Sequence, residues 1–210
     1  PDLGTAIAFW CIIAGMLFTA GLNIKLIKRV IIIAIVSLPL MYMMMASHQK
    51  ERIEAFLHPD DPTYKGNYQV MQSMIAIGSG GLTGKGLYNG TQNQEGFLPV
   101  QESDFIFAVI GEEFGFIGCC IVIFLALLIV GKCLIIASKS IDMLGTLIVV
   151  GVVGMLSFQI FINIGVATSL LPNTGMPFPF LSAGGSSMLV NMSCIGLVLN
   201  VAMTKPKNLF

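Results

Sequence analysis

Three carboxylates stand where carboxylates are scarce. Asp104 immediately precedes the apolar run Phe105-Ile106-Phe107-Ala108, and Glu112 and Glu113 lie two turns further inside it. An acid at bilayer depth costs about 3 kcal/mol on insertion scales. Such residues therefore face a cavity or a partner and count as functional until shown otherwise. Two readings of Asp104 are open. Ser103 and Asp104 are both good N-cap residues, and the helix dipole favours a carboxylate there. Alternatively, Asp104 is a reactive carboxylate at the membrane surface, partly desolvated and able to accept a proton. Glu112 sits about 80° round an ideal helix from Asp104 and about 12 Å further along. The two do not meet at the ~5–9 Å separation of a paired-carboxylate glycosidase.

A second cluster with chemical potential is Gly78-Ser79-Gly80-Gly81-Leu82-Thr83-Gly84-Lys85-Gly86. It is not a nucleotide phosphate loop: that pattern needs glycine where Ser79 stands and Ser or Thr where Gly86 stands. Two readings survive. Open backbone N–H groups plus Lys85 cradle an anionic headgroup, or the glycines form a turn that lets two helices approach closely. A third segment, Leu171–Ser187, contains Pro172, Pro177, Pro179 and the Gly184-Gly185 pair, so it combines fixed φ with permitted tight bends. It is either a cavity-lining re-entrant piece or a rigid turn between spans. The five cysteines (Cys11, Cys119, Cys120, Cys133, Cys194) show no metal-ligand spacing and read as small helix-packing residues.

The elements that must carry these groups follow from composition. Of the 210 residues, 55% are hydrophobic and 10% charged, against about 25% charged in soluble domains. Apolar residues fall in blocks of span length, roughly 4–22, 30–46, 105–130, 144–171 and 187–203, each near the ~20 residues a crossing requires. The fold class is thus an all-α integral membrane helix bundle of about five spans, with one long polar loop, 47–104. Zero net charge gives no electrostatic case for nucleic acid. The short connectors 23–29 and 131–143 and the tail 204–210 hold Lys25, Lys28, Arg29, Lys132, Lys139, Lys205 and Lys207 against Asp142 alone. Basic residues collect on the cytoplasmic side, so the long loop and the Pro-rich turn face outward. Within the loop, Gln49–Leu57 suits an interfacial helix, and Tyr68–Ile77 suits a short helix dipping into the membrane before the glycines. The opening Pro1-Asp2-Leu3-Gly4-Thr5 reads as the interior of a longer protein.

Several of these segments together resemble one family. Pro1–Thr5, Ala76–Gly81 with Gly84-Lys85-Gly86 and Gly90-Thr91-Gln92, Phe97-Leu98-Pro99 leading to Ser103–Ala108, Gly111–Gly115, and Asn163–Val166 through Leu181–Ser187 are similar, in order, to the SEDS family (RodA, FtsW, SpoVE). The Gly-Thr-Gln and Gly-Lys-Gly pieces are closer to the RodA branch. The resemblance implies a ten-span protein of which this chain is the last five spans. It implies a peptidoglycan glycosyltransferase that polymerises lipid II in the bacterial cytoplasmic membrane, beside a class B penicillin-binding protein. Asp104 falls on the family's essential aspartate, and Lys85, Gln92, Glu112, Ser182, Gly184, Gly185 and Ser186 fall on its substrate site. A divalent cation (Mg or Mn) held partly by Glu112 or Glu113 is implied by the resemblance more than by ligand spacing. Where the family often has His-Thr before the aspartate, this chain has Glu102-Ser103, so no histidine relay carries over. Ser169, Asn173 and Ala183 replace the commoner Gly, Thr and Tyr. Two other function classes are compatible with intramembrane acids and broken helices: a flippase for a lipid-linked precursor, and a non-catalytic scaffold that activates a transpeptidase.

Overall fold

In lipid, a backbone without internal hydrogen bonds is too costly, so a long apolar run has one economical form, the helix. The computed structural model describes residues 3–22, 47–59, 61, 64–94 and 103–204, together with isolated positions between 25 and 37. Its helices are α1 (Leu3–Thr19), α2 (Ser47–Leu57), α3 (Lys65–Gly80), α4 (Thr91–Gln94), α5 (Ile106–Ser138), α6 (Met143–Ala167) and α7 (Gly185–Met203), and no strand occurs among the described residues. Helices α5, α6 and α7 are long and apolar enough to cross a membrane, and Gly4–Thr19 forms a shorter apolar helix. The three long helices correspond to three of the five expected spans, and the shorter apolar helix falls within a fourth. The expected span 30–46 lies for the most part outside the described residues, as do the stretch 95–102 and the basic tail with Lys205 and Lys207.

Two boundaries differ from the expectation. Gly131 does not break the helix, so α5 continues through Lys132 to Ser138 and leaves only residues 139–142 as the connector. At the other end of the next span, α6 stops at Ala167 instead of running to Leu171. The N–H groups of Leu170 and Leu171 both turn back to Gly165 O, at 2.8 and 3.0 Å, with Ser169 at φ +59°. A left-handed residue just past the last helical turn closes the helix and satisfies its carbonyls.

Alternation of direction puts the start of α5, the end of α6 and the start of α7 at one end of the bundle. The N-terminal end of α1 joins them, since Gly4 packs on Thr174 and Met176. Gly151 and Gly154 bring α6 against Cys11, Ile12 and Met16 of α1, the small-residue contact that lets membrane helices approach. At this shared end Ala8, Ala76, Phe105, Ala108, Ile162, Val166 and Met176 form one apolar cluster drawn from α1, α3, α5, α6 and the Pro-rich segment. Phe107 of α5 stacks on Phe178 with ring centroids 6.4 Å apart. Helix α3 is pinned there by the Ser73 hydroxyl, which donates to Ala167 O at 2.8 Å. Amphipathic α2 packs on α3, and Tyr64 between them donates to Glu54 Oε2 at 3.4 Å. Desolvation, followed by the neighbouring Glu54, Asp61 and Glu51 carboxylates, pushes the Tyr64 phenol up.

Candidate functional site

Helix α5 is broken. Gly115 stands at φ 66°, ψ −162°, a conformation outside any helix. A break at membrane depth frees carbonyls before it and N–H groups after it, and something must take them. The glycine-rich loop after α3 does so. Lys85 N and Gly86 N donate to Glu112 O and Glu113 O, each at 3.0 Å, while Phe116 N and Ile117 N donate to Gly81 O and Leu82 O at 2.9 and 3.2 Å. Glycine is required at both facing positions. Gly84 and Gly115 have φ of +80° and +66°, and a Cβ on either would collide with the other segment's main chain. The anion-cradle expectation is thereby corrected: the N–H groups of Gly84, Lys85 and Gly86 are all bonded within the fold. The alternative reading, a turn for close approach, is what the structure shows.

The side chains of the same junction form a buried ion pair. Lys85 Nζ donates to Glu112 Oε1 at 2.7 Å and to Thr91 Oγ1 at 2.9 Å. The Thr91 hydroxyl donates to the same Oε1 at 3.2 Å, and the Gln92 main-chain N–H does so at 3.0 Å. Glu112 is fully buried, whereas the Lys85 side chain is 27% exposed. Gln92 contributes its backbone here, and its side-chain Oε1 is buried with no partner among the described residues. A divalent ion does not fit this carboxylate. Its Oε1 already holds three donors, including an ammonium, and Glu113, also buried, leaves the helix about 100° away. Among the described residues no group of three or more His, Cys, Asp or Glu is placed to hold a metal.

Asp104 lies at the shared end of the bundle in the turn before α5. The N-cap of α5 is Phe105, with no side-chain cap hydrogen bond, so the capping reading of Ser103 and Asp104 is corrected. The carboxylate is half-buried, and Ser103 Oγ donates to its Oδ1 at 2.6 Å. Its Oδ2 faces Gly175 of the Pro-rich segment, where an added Cβ would sit 3.3 Å away. Two buried side chains hold the turn from behind. Asn163 Nδ2, on α6, donates to Asp104 O and to Met176 O, both at 2.9 Å. Ser182 Oγ donates to Ser103 O in a short bond and accepts from Phe178 N at 2.7 Å.

A cavity of about 1020 Å³ opens between α2, α3 and residues 169–173, lined among others by Arg52, Phe56, Tyr68, Met71, Leu171 and Asn173. Asp104 does not line it but is connected to its wall through one link. Asn173 on the wall donates to Gln69 Oε1 at 3.1 Å and accepts from Gly175 N at 3.2 Å, and Gly175 is the residue under Oδ2. Of the expected substrate residues, Lys85, Gln92 and Glu112 thus form one group, and Ser182 joins Asp104 in another. Gly184 is the N-cap of α7, and Gly185 and Ser186 lie exposed on its first turn. Thr91, Ser103 and Asn163 were not among the expected site residues. An amide inside an apolar run is the signal that would have found Asn163.

The whole chain matches one family of cell cycle proteins, FtsW/RodA/SpoVE, over residues 1–207. It belongs to that family. Among FtsW/RodA/SpoVE relatives it is 37% identical to the peptidoglycan glycosyltransferase MrdB of Escherichia coli K12 over 202 residues, 96% of this chain and 55% of MrdB. It is 38% identical to the stage V sporulation protein E of Bacillus subtilis 168 over 206 residues, 96% of this chain and 55% of that protein. A probable peptidoglycan glycosyltransferase FtsW of Geobacter metallireducens is 38% identical over 204 residues, 96% and 53% of the two chains. The chain therefore spans about half the length of these relatives. A solved structure described as a peptidoglycan synthase complex coordinating polymerization and crosslinking superposes with a TM-score of 0.78 at 30% identity, over 99% of this chain and 57% of that one. Family membership and the apolar helices make this a membrane protein.

Proposed function

We propose that the protein containing this chain is a peptidoglycan glycosyltransferase that polymerises lipid II, with Asp104 as the general base. The observation that carries the reading is a half-buried aspartate in the turn before α5 whose carboxylate caps no helix and whose Oδ2 faces Gly175, two residues from the cavity-lining Asn173. Glycan polymerisation joins a sugar hydroxyl to the anomeric carbon of a sugar activated by a lipid diphosphate. As the new C–O bond forms, the hydroxyl proton passes to Asp104 Oδ2. The bond from the anomeric carbon to the diphosphate breaks, and the lipid diphosphate leaves with the electron pair. Ser103 holds Oδ1, which leaves Oδ2 for the incoming hydroxyl. Lys85 serves the fold of the glycine-rich loop by neutralising Glu112.

Relatives named as peptidoglycan glycosyltransferases support the reaction class, and likeness to a synthase complex supports a membrane-bound class B penicillin-binding protein as partner. Lys139 closes the end of α5 remote from Asp104, and Lys25, Lys28 and Arg29 follow the corresponding end of α1 in the sequence. That supports a bacterial cytoplasmic membrane placement with Asp104 outward. The flippase reading rests on intramembrane acids, of which Glu112 is fully buried against Lys85. The test is lipid II polymerisation by the full-length protein and its Asp104→Asn variant, which keeps shape and removes the base. The expected loss is about 10²–10⁴-fold; a wild-type rate would refute the assignment.

A further inference from the structure

Asp104 sits outside any helix, so nothing in its own element fixes its main chain. A turn needs its two buried carbonyls satisfied from elsewhere. Ser103 O and Asp104 O are each taken by a buried side chain: Ser182 Oγ, from the Pro-rich segment, and Asn163 Nδ2, from α6. Both side chains are 5% exposed or less, and each holds a second group on the Pro-rich segment, Phe178 N and Met176 O respectively. Residues 103–104 are thereby tied at two consecutive peptides to residues 176–178, and Gly175, next in line, lies under Oδ2. The arrangement has a price: Asn163 Oδ1 is buried with no partner among the described residues. A buried acceptor without a donor calls for an explanation, and the amide's two N–H bonds to main-chain oxygens from two segments supply one.

We propose that Asn163 and Ser182 are positioning residues for Asp104: they clamp the 103–104 main chain to the Pro-rich segment and so set where Oδ2 stands. The inference rests on Asp104 being the base. A displacement of about 1 Å at a reacting group lowers rate by about a hundredfold, while substrate binding through the cavity and the rest of the protein is little affected. The clamp should therefore show in kcat and not in KM.

The experiment measures kcat and KM for lipid II with the full-length protein and its Asn163→Ala, Ser182→Ala, Ser182→Thr and Asp104→Asn variants, with thermal melting of each. The alanine variants are expected to lose about 10- to 100-fold in kcat with KM within about twofold of wild type. Ser182→Thr, which keeps the hydroxyl, is expected to recover most of the loss. Wild-type kcat in the alanine variants, a change in KM alone, or a Ser182→Thr variant as slow as Ser182→Ala would overturn the proposal. If Asn163→Ala does not melt as a folded protein, the Ser182 pair decides. The failures separate: equal rates for wild type and Asp104→Asn sink the base assignment, whereas an inactive Asp104→Asn beside fully active alanine variants sinks only the clamp.

Discussion

Removing the ammonium of Lys85 is the sharpest way to test how the outer loop is held. In Lys85→Met the stem that packs along the loop is kept and the charge is lost, leaving the Glu112 carboxylate fully buried with the Thr91 hydroxyl and the Gln92 N–H. Losing one partner of a buried pair costs about 3–5 kcal/mol. Lys85 is 27% exposed, so water screens part of the pair and the lower end applies, about 3 kcal/mol. At about 2 °C per kcal/mol for a chain of this size or larger, the melting temperature of the full-length protein in detergent falls by about 6 °C. Glu112→Gln strands an ammonium that can reach water and costs less, about 1–2 kcal/mol. The double variant removes both charges and should be less damaged than the two losses added together, with a coupling of about 2 kcal/mol. Melting of wild type, both singles and the double closes the cycle. Additivity within about 0.5 kcal/mol would show that the two charges do not stabilise each other, and the account of the loop would be wrong.

Other consequences of the structure can be read with similar means. Gly84→Ala or Gly115→Ala forces a Cβ into the facing main chain at positive φ and should sharply reduce folded protein in the membrane, whereas Gly78→Ala, with open space around it, should leave the yield unchanged. Ser169→Gly relieves a left-handed serine, a gain of about 1 kcal/mol partly offset by the entropy of glycine, so a rise of about 1 °C in melting is expected. Ser73→Ala removes the buried bond to Ala167 O and should lower stability by about 1–2 kcal/mol.

The spans were legible because twenty consecutive apolar residues admit few other structures; α5, α6 and α7 lie where composition put them. Their ends were less so. The expected boundary falls at Gly131-Lys132, but one lysine on a long stem is tolerated in a continuing helix. At Ser169 a non-glycine residue occupies the left-handed closing position, so the usual stop signal was missing. Asp104 was found through its surroundings, but its freedom from capping was not: Ser103-Asp104 has good cap chemistry, and only the tertiary bonds to Asn163 and Ser182 pull the turn away from that geometry. The ion pair between Lys85 and Glu112 joins residues far apart in sequence through a helix break at Gly115. Periodicity carries no information about such a break, since glycine inside an apolar run is ordinary in membrane helices.

The break and the clamp have one joint effect. Between Asp104 and Gly115 lies a piece of α5 of little more than two turns, about 13 Å long. At its far end the glycine loop grips it through two main-chain bonds, to Glu112 O and Glu113 O, and the Lys85–Glu112 pair; at its near end Asn163 and Ser182 grip the turn that carries Asp104. A short helix held at both ends moves as one body, because its interior is packed through Phe107 and Ala108 and close-packed interiors transmit displacement instead of absorbing it. The loop that leaves Lys85 runs through Thr91 and Gln92, both bonded to Glu112, on its way to Asp104. Displacement of that loop therefore reaches the carboxylate through the short helix. On this reasoning Glu112→Gln should slow polymerisation by altering kcat although Glu112 is fully buried and lies at the opposite end of the short helix from Asp104. A Glu112→Gln protein with fewer stable loops but unchanged kcat would show that the two ends of the short helix are independent.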